Sequence, residues 1–279
     1  MEKYTIKEFQ KQFSTEDKCL DYIFNERYNS QFPCPKCHKT GFYRVKNRKC
    51  YACAWCGYQI HPVANTIFHK SDTPLKLWFY AIFLMSQAKN GISAKELQRH
   101  LGVTYKTAWR IAKQIRSLMG QDNDPLFGVI ETDSTFIGGR RPEKHKMENK
   151  TAVFGMVERK GRVRSRVVSD ESRHIVQPIL RSNVALGSYI MTDDHKAYKK
   201  LADFHHQFVK HLHLEYVRGS VHTNTIEGFW SQIKRSINGT YHAVSPKYLQ
   251  TYLDYLSYQY NLRYASVFPV LMKRAVQSV

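Results

Sequence analysis

The sequence has no long hydrophobic run and few acidic residues for its size. The longest apolar stretch, residues 77–85, is too short to cross a bilayer and predicts a buried helix. Residues 1–12 are polar and charged, which argues against a secretory signal and favours a cytoplasmic protein with no membrane partner. The 23 acidic residues are outnumbered by 43 lysines and arginines, for a net charge of +20. This excess favours nucleic acid as the partner over a solvated basic surface or an anionic membrane.

Only six cysteines are present, but four of them have the spacing of metal ligands. They form two C-x-x-C pairs and are Cys34, Cys37, Cys53 and Cys56. Two such pairs close a tetrahedral thiolate site, which predicts a structural zinc ion in a zinc ribbon. Two disulfides are the alternative, and His38 and His61 are possible substitute ligands. A reducing compartment favours zinc over disulfides, and Cys50 does not fit the pairing.

The chain before residue 121 is predicted to be helical on either side of the ribbon. Residues 1–30 form an N-terminal helical segment, residues 31–70 the zinc ribbon, and residues 71–120 a region like a helix-turn-helix. There, Gly102 makes a turn between a short helix and a longer one that begins after Thr104. The longer helix is expected to expose Lys106, Arg110, Lys113 and Arg116. A plain helical hairpin is the alternative, but the basic charge favours DNA binding.

From residue 125 to residue 279 the pattern changes to alternating strands and helices. Strands are predicted at 126–137, 151–157, 162–169, 189–192 and 214–217, and helices at 171–181 and 195–202 and from 222 onwards. Three antiparallel strands followed by parallel strands with crossover helices is the order of an RNase H-like domain. The predicted fold is therefore α/β, a mixed sheet with flanking helices, preceded by the ribbon and the helical region.

Three carboxylates fall where this topology would bring them together. Asp133 lies on the first strand, Asp193 directly follows the fourth, and Glu227 lies on the helix after the last strand. The first and fourth strands are neighbours in such a sheet, and the final helix packs across it. Oxygen ligands select Mg²⁺ or Mn²⁺, and a pair of such ions can activate an attacking water or hydroxyl. We therefore expect a catalytic metal site made by these three acids.

The two aspartates also have plainer interpretations. An aspartate in a strand can simply occupy its polar face or its end. Glu131 points to the same face as Asp133 and competes for its role. Asp193 or Asp194 could cap the helix that follows.

The helix at residues 222–235 leaves a similar choice open. Asn224 and Glu227 fit a capping box, in which Glu227 would only secure the start of the helix. Lys234 lies about two helical turns beyond Glu227 and projects the same way. It is either a surface lysine or a phosphate contact beside the site.

Several longer motifs carry a family resemblance. They are the two C-x-x-C pairs, residues 59–76, D-S-T-F-I-G-G from Asp133, T-D-D-H-K-A-Y from Thr192, H-T-N-T-I-E-G-F-W-S-Q-I-K from His222, and G-T-Y-H from Gly239. The chain resembles insertion-sequence transposases of the DDE type with an N-terminal zinc ribbon, the ISXO-two-like group. Ser134 and the pair Asp194-His195 depart from the common pattern of this group, but the acids that match it are all present.

The resemblance implies which residues form the site. Asp133 and Asp193 match the first two catalytic acids, and Glu227 followed by Lys234 fits the third position. Asn224 is the competing candidate there, because an amide also occurs at this position in the group. The implied cofactors are catalytic Mg²⁺ or Mn²⁺ and structural Zn²⁺.

The implied activity is metal-dependent cleavage at transposon ends and strand transfer into target DNA. The partners would be double-stranded DNA, as terminal inverted repeats and as target, and a second copy of the chain in a homo-oligomer on DNA. The location would be the nucleoid of a prokaryotic host. A catalytically inactive, transposase-derived DNA-binding regulator is the main alternative, and a nuclease that cleaves without joining is another.

Metal analysis of the purified protein tests the ribbon. We expect bound zinc when all four cysteines of the two pairs are reduced, because four thiolates fill a tetrahedral zinc site. Protein with four reduced cysteines and no zinc would contradict the assignment.

Overall fold

The computed structural model describes residues 4–29, 31–138, 150–199, 201–209 and 217–277. The chain divides into two compact units. The first comprises Met1–Ala88, Ala94–Leu118 and Tyr264–Val279, and the second comprises Lys89–Ser93 and Met119–Arg263. No helix in the described part of the chain is both long and apolar enough to cross a membrane.

Six helices among the described residues belong to the first unit. They are α1 (Ile6–Gln12), α2 (Glu16–Arg27), α3 (Leu75–Gln87), α4 (Ala94–Leu101), α5 (Tyr105–Ser117) and, near the C-terminus, α9 (Val267–Val276). The first two begin where Thr5 and Thr15 accept hydrogen bonds from the backbone N–H groups of Glu8 and Lys18, at 3.3 and 3.2 Å. The apolar stretch at 77–85 lies in α3, which is buried as predicted.

The last helix corrects the predicted extent of the C-terminal segment. Residues 125–279 were expected to form one domain with the sheet, but α9 packs with α1 and α3 in the first unit. Phe268 explains this, because its ring stacks on Tyr4 at 4.6 Å and meets the rings of Phe9, Phe13 and Phe83 within 6.1 Å. Aromatic packing thus holds α9, near the C-terminus, against α1, near the N-terminus.

The ribbon is a small antiparallel sheet of β1 (Phe42–Arg44), β2 (Tyr51–Cys53) and β3 (Gln59–Ile60) in that order. One face packs on α2, where Phe24 stacks on Tyr51 with 3.9 Å between ring centroids and meets Phe42 at 5.9 Å. The ribbon therefore has its own hydrophobic support in addition to any metal.

Helices α4 and α5 form the predicted pair around Gly102, whose φ of +64° favours glycine. Thr104 begins α5 by accepting from the N–H of Thr107 at 3.3 Å. Lys106, Arg110 and Lys113 are exposed, as expected. The prediction for Arg116 was wrong: it is only 3% exposed, because it lies one turn beyond the buried Ala112.

The second unit contains a five-stranded mixed sheet. Its strands are β4 (Val129–Gly138), β5 (Lys150–Glu158), β6 (Val163–Val168), β7 (Tyr189–Thr192) and β8 (His205–Phe208), in the order β6-β5-β4-β7-β8. Strands β4, β5 and β6 are antiparallel, whereas β7 and β8 run parallel to β4. This is the predicted RNase H-like arrangement.

Helices cover both faces of this sheet. They are α6 (Arg173–Asn183), α7 (Asn224–Arg235) and α8 (Pro246–Asn261). One core contains Ile130 and Phe154 from the sheet with residues of α6, and the other contains Val153 and Val157 with residues of α7 and α8. Alternation along β5 therefore gives each face of the sheet its own core.

Two predicted elements differ from the structure. The helix expected at 195–202 is a single 3₁₀ turn, Lys196–Tyr198. The fifth strand is β8 rather than the expected 214–217, of which residues 214–216 lie outside the described residues. The sequence of β8, H-H-Q-F, has no apolar alternation, because this strand lies at the edge of the sheet and is largely exposed.

Amide side chains cover the free edge of β6. Asn261 accepts from the N–H of Val163 at 2.7 Å and donates to its carbonyl at 3.0 Å. Gln121 pairs in the same way with Ser165, at 3.2 and 2.8 Å. Gln250 accepts from the N–H of Val167 at 2.8 Å. The amides thus occupy groups that would otherwise be available to a foreign strand.

We expect Gln121→Ala to lower the free energy of unfolding by roughly 1–3 kcal/mol, because it removes the acceptor of the Ser165 N–H and one of the two amide donors to the Ser165 carbonyl, the other being Gln250. Thermal or urea unfolding measures the loss. Gln207→Ala is the control, because it removes an exposed amide from the opposite edge strand and should change stability by less than about 0.5 kcal/mol. Equal effects of the two substitutions would contradict the role of the amides.

Candidate active site and zinc site

The four predicted zinc ligands converge in the ribbon. Their sulfur atoms all lie within 4.8 Å of one another. The Cys34 and Cys56 sulfurs are 3.6 Å apart, as are those of Cys37 and Cys53. Sulfurs at the corners of a tetrahedron with Zn–S bonds of about 2.3 Å would lie about 3.8 Å apart. The spacing of the sulfurs therefore suits a tetrahedral zinc site.

The two C-x-x-C turns have matching backbone geometry. The residue after each second cysteine, His38 or Gly57, has a positive φ (60° and 70°). Its N–H donates to the carbonyl of the first cysteine, at 2.9 Å from His38 to Cys34 and 3.0 Å from Gly57 to Cys53. Neither His38 nor His61 belongs to the sulfur cluster found among the described residues, and both are exposed. Cys50 is buried beside Gln59, outside the cluster.

Strand register places the first two acids of the second unit side by side. Strand β7 pairs with β4 in parallel, with Val129 opposite Tyr189 and Glu131 opposite Met191. Continued by two residues, this register sets Asp193 beside Asp133. Asp193 also accepts from the N–H of His195 at 3.1 Å, so it caps the following turn as well.

Asp133 has an unusual electrostatic environment. Its pKa is raised from 3.8 to about 7, mainly by burial and in part by the charges of Asp193 and Glu227, while the backbone N–H of Ser134 and the indole of Trp230 oppose the rise. All three predicted acids are therefore close enough to interact. A carboxyl group with a pKa near neutrality is typical of functional sites, although ion networks can also produce one.

A groove of about 780 Å³ opens beside Asp133. Its lining residues come from β4, from α7 and from the π-helical turn Ser236–Tyr241 that follows α7: Asp133, Ser134, Thr135, Glu227, Trp230, Ser231, Lys234, Arg235, Asn238 and Gly239. One end of the groove is acidic and the other is basic. Lys234 thus shares the groove with Glu227, whereas Asn224 is not among its lining residues.

Helix α7 begins differently from the capping box considered above. Thr223 precedes its first residue, Asn224, and makes no side-chain cap bond to the helix backbone. Instead, the Thr223 hydroxyl donates to Glu227 Oε1 at 2.8 Å. Glu227 is exposed toward the groove and is not engaged by Asn224 in a capping box.

Glu131, which competed with Asp133 in the sequence, has a different position. It is completely buried and accepts from the N–H groups of Thr225 and Ile226 at 2.7 and 3.1 Å, and from Arg159 Nε at 2.6 Å. Its oxygens are therefore engaged by the protein itself, and it is not part of the groove lining.

Trp230 and Gly155 were missed by the sequence analysis. Gly155 lies opposite Asp133 on β5, and a Cβ atom there would collide with the Trp230 ring and lie 3.1 Å from Ile226 Cδ1. Only glycine leaves room for the indole beside Asp133. A glycine within a strand is the signal that could have indicated this close approach.

Two further residues border the aspartates. Tyr198 is buried, and burial together with the charges of Asp133 and Asp193 raises its pKa. The pKa of Glu171 is also raised, mainly by burial and in part by Asp193. Neither side chain could be placed here from the sequence alone, because Glu171 lies in the loop before α6 and Tyr198 in the 3₁₀ turn after β7.

The mixed five-stranded sheet with flanking helices defines an RNase H-like domain. Comparison with known proteins identifies the family. Residues 125–261 match the ISXO2-like transposase domain, and residues 14–59 match the transposase zinc-ribbon domain. A protein of Halobacterium salinarum, described as an uncharacterized protein in transposable element ISH50, is 26% identical over 272 residues, covering 87% of this chain and 90% of its own.

The chain belongs to the ISXO2-like transposases with an N-terminal transposase zinc ribbon. The resemblance of the motifs predicted this family, and the prediction is confirmed.

The raised pKa of Asp133 predicts a pH-dependent stability. The folded protein holds this proton more tightly than the unfolded chain, so the contribution is fully present below about pH 4 and is lost as the pH rises through about 7. Without Mg²⁺ or Mn²⁺, the permanently neutral Asp133→Asn should melt higher than the wild type at pH 8, by on the order of 5 °C. Thermal unfolding at several pH values measures this difference, which should shrink toward zero at pH 4. A constant difference across that range would contradict the environment described for Asp133.

Proposed function

We propose that this protein is a DNA transposase that cleaves DNA at the ends of its element and joins the freed 3′ ends to a target. The observation that carries the proposal is the proximity of Asp193 and Glu227 to Asp133, together with a groove that is lined by Asp133 and Glu227 and continues along α7 to Lys234. The acids offer ligands for divalent cations, and the lysine offers positive charge for DNA phosphates. Membership of a transposase family supports the same function.

The acidic end of the groove suits Mg²⁺ or Mn²⁺. Carboxylate oxygens are the ligands that these hard cations select, and Asp133, Asp193 and Glu227 would hold them. Burial and, to a smaller extent, the charges of Asp193 and Glu227 raise the pKa of Asp133, and a bound cation would offset both effects. When bound, the cations would supply activation of the attacking oxygen and stabilisation of the leaving oxygen.

The protein's own residues would position the DNA, and one of them would release a proton when the metal binds. Lys234 lies about 10 Å along α7 from Glu227, given a rise of about 1.5 Å per residue, and would bind a phosphate near the one that reacts. Arg235 and Asn238 extend the same wall of the groove and can donate to phosphate oxygens. The Asp133 carboxyl group, with its pKa of about 7, would release its proton when it becomes a ligand.

The third ligand is assigned to Glu227 rather than Asn224. Glu227 lines the groove, and its charge reaches Asp133, whereas Asn224 lies at the exposed start of α7 outside the groove lining. A carboxylate also binds Mg²⁺ more strongly than an amide at the same position, because it brings charge to the cation.

DNA recognition is assigned to the first unit. The exposed Lys106, Arg110 and Lys113 on α5 would contact phosphates, with the basic ribbon beside them in sequence. Transposition requires two element ends to be held together, so a homo-oligomer would form on double-stranded DNA carrying the terminal inverted repeats.

Asp133→Ala tests the proposal. We expect strand transfer to fall at least about 10³-fold, because a ligand of the catalytic metals is lost, while binding to the inverted repeats survives. The assay follows cleaved and joined products of an element-end duplex with Mg²⁺ or Mn²⁺, and a gel-shift measures binding.

Glu227→Ala should reproduce this loss, and Asn224→Ala is the matched control that should retain activity. If Asn224→Ala lost activity and Glu227→Ala retained it, Asn224 would be the third ligand instead. Strand transfer by Asp133→Ala would refute the active site. Wild-type cleavage without joining would indicate a nuclease, and DNA binding with neither product would indicate a regulator.

A further inference from the structure

Glu131 is a buried carboxylate two residues before Asp133, and the proposed reaction does not use it. Its side chain is 0% exposed. Oε2 accepts from the N–H groups of Thr225 and Ile226, at 2.7 and 3.1 Å, and Oε1 accepts from the Thr225 hydroxyl at 2.8 Å. These donors form the first turn of α7, so the carboxylate ties that turn directly to β4.

Arg159, which directly follows strand β5, completes the anchor. Its Nε donates to Glu131 Oε1 at 2.6 Å, and its other nitrogens donate to the carbonyls of Ser220 and His222, at 2.7 and 3.0 Å. His222 Nδ1 also lies 3.3 Å from Glu131 Oε1. The carboxylate and the guanidinium together fix the chain that enters α7.

This anchor links β4 and α7, the two elements that carry the proposed metal ligands Asp133 and Glu227. Along β4, Glu131 and Asp133 share one face and are about 6.6 Å apart, since strand residues rise about 3.3 Å each. On α7, Glu227 directly follows Ile226, whose N–H is bound to Glu131. A negative charge at the N-terminus of a helix is also electrostatically favourable. The position of Glu227 relative to Asp133 therefore depends on Glu131.

We propose that Glu131 is a positioning residue that sets the separation of the Asp133 and Glu227 carboxylates, and with it the affinity of the site for its divalent cation. The inference rests on the proposed function, because it takes those two acids as metal ligands. Glu131 touches neither DNA nor metal and acts through α7.

The substitution Glu131→Gln is the sharpest probe. Glutamine has the same shape, but one of its two terminal atoms is an amide NH₂. In one orientation that NH₂ faces the N–H groups of Thr225 and Ile226; in the other it faces Arg159 Nε. In either orientation a buried NH₂ group faces another hydrogen-bond donor. Some of the hydrogen bonds that tie α7 and Arg159 to residue 131 are therefore lost.

Calorimetric titration of Mn²⁺ into the full-length, zinc-loaded protein measures the effect without relying on activity. We expect Glu131→Gln to bind Mn²⁺ about 10–100-fold more weakly than the wild type, as is usual when a group that orients metal ligands is lost. Zinc content and binding to DNA in the absence of divalent cations should be unchanged. Equal Mn²⁺ affinity of the variant and the wild type would overturn the inference.

Gln121→Ala is the matched control, because it also removes hydrogen bonds to the sheet of the same unit but has no contact with α7 among those described. It should lower the melting temperature and leave Mn²⁺ affinity unchanged. If it weakened Mn²⁺ binding as much as Glu131→Gln, general destabilisation would explain both results and the positioning role would be refuted.

Thr225→Val decides the matter if Glu131→Gln does not fold. It removes one donor to Glu131 at nearly constant volume, and Mn²⁺ binding should weaken about threefold or more. Unchanged affinity would then refute the inference. Strand transfer by Asp133→Ala would refute the proposed function instead, whereas weaker Mn²⁺ binding by Glu131→Gln would still support the positioning role.

Discussion

The parallel pairing of β4 with β7 is the constraint on which the candidate active site depends. Val129 lies opposite Tyr189, so residues 60 positions apart in the sequence become neighbours, and the acids that follow are brought together. The cost is electrostatic, because burial and the neighbouring carboxylates together disfavour the charged form of Asp133 and raise its pKa. Hydrophobic cores on both faces of the sheet hold this register against that repulsion. Helix α7 then contributes Glu227 from the face on which Asp133 lies.

Local patterns were sufficient for much of this fold. The spacing of the cysteines predicted the ribbon, and the order of strands and helices predicted the RNase H-like sheet, because those signals lie within short stretches of sequence. The structure differs where a residue's neighbours are distant in sequence. Strand β8 exists through its pairing with β7 rather than through its own polar sequence. Nothing in α9 itself shows that Phe268 packs with Phe9 and Phe13.

The candidate site, too, could be predicted only where its residues belong to local sequence motifs. Asp133 and Glu227 could be selected from their motifs, and the groove contains both. The role of Glu131 could not be predicted, because its partners lie 94 residues away in Thr225 and 28 residues away in Arg159. Its position two residues before Asp133 suggested only a shared face. Gly155 is similar: its lack of a side chain matters only because Trp230 occupies the space.

The amide-covered edge of β6 limits how two copies of this chain can associate. A protein with an open edge strand can add a neighbour's strand to its sheet. Here Asn261, Gln121 and Gln250 already bind the outward-facing backbone groups of that strand, and a second chain would have to displace all three. Sheet extension across β6 is therefore disfavoured. Two copies that met at this edge would therefore contact each other through side chains rather than through the backbone of β6, which leaves β8 as the edge strand of this sheet whose backbone is more open to pairing.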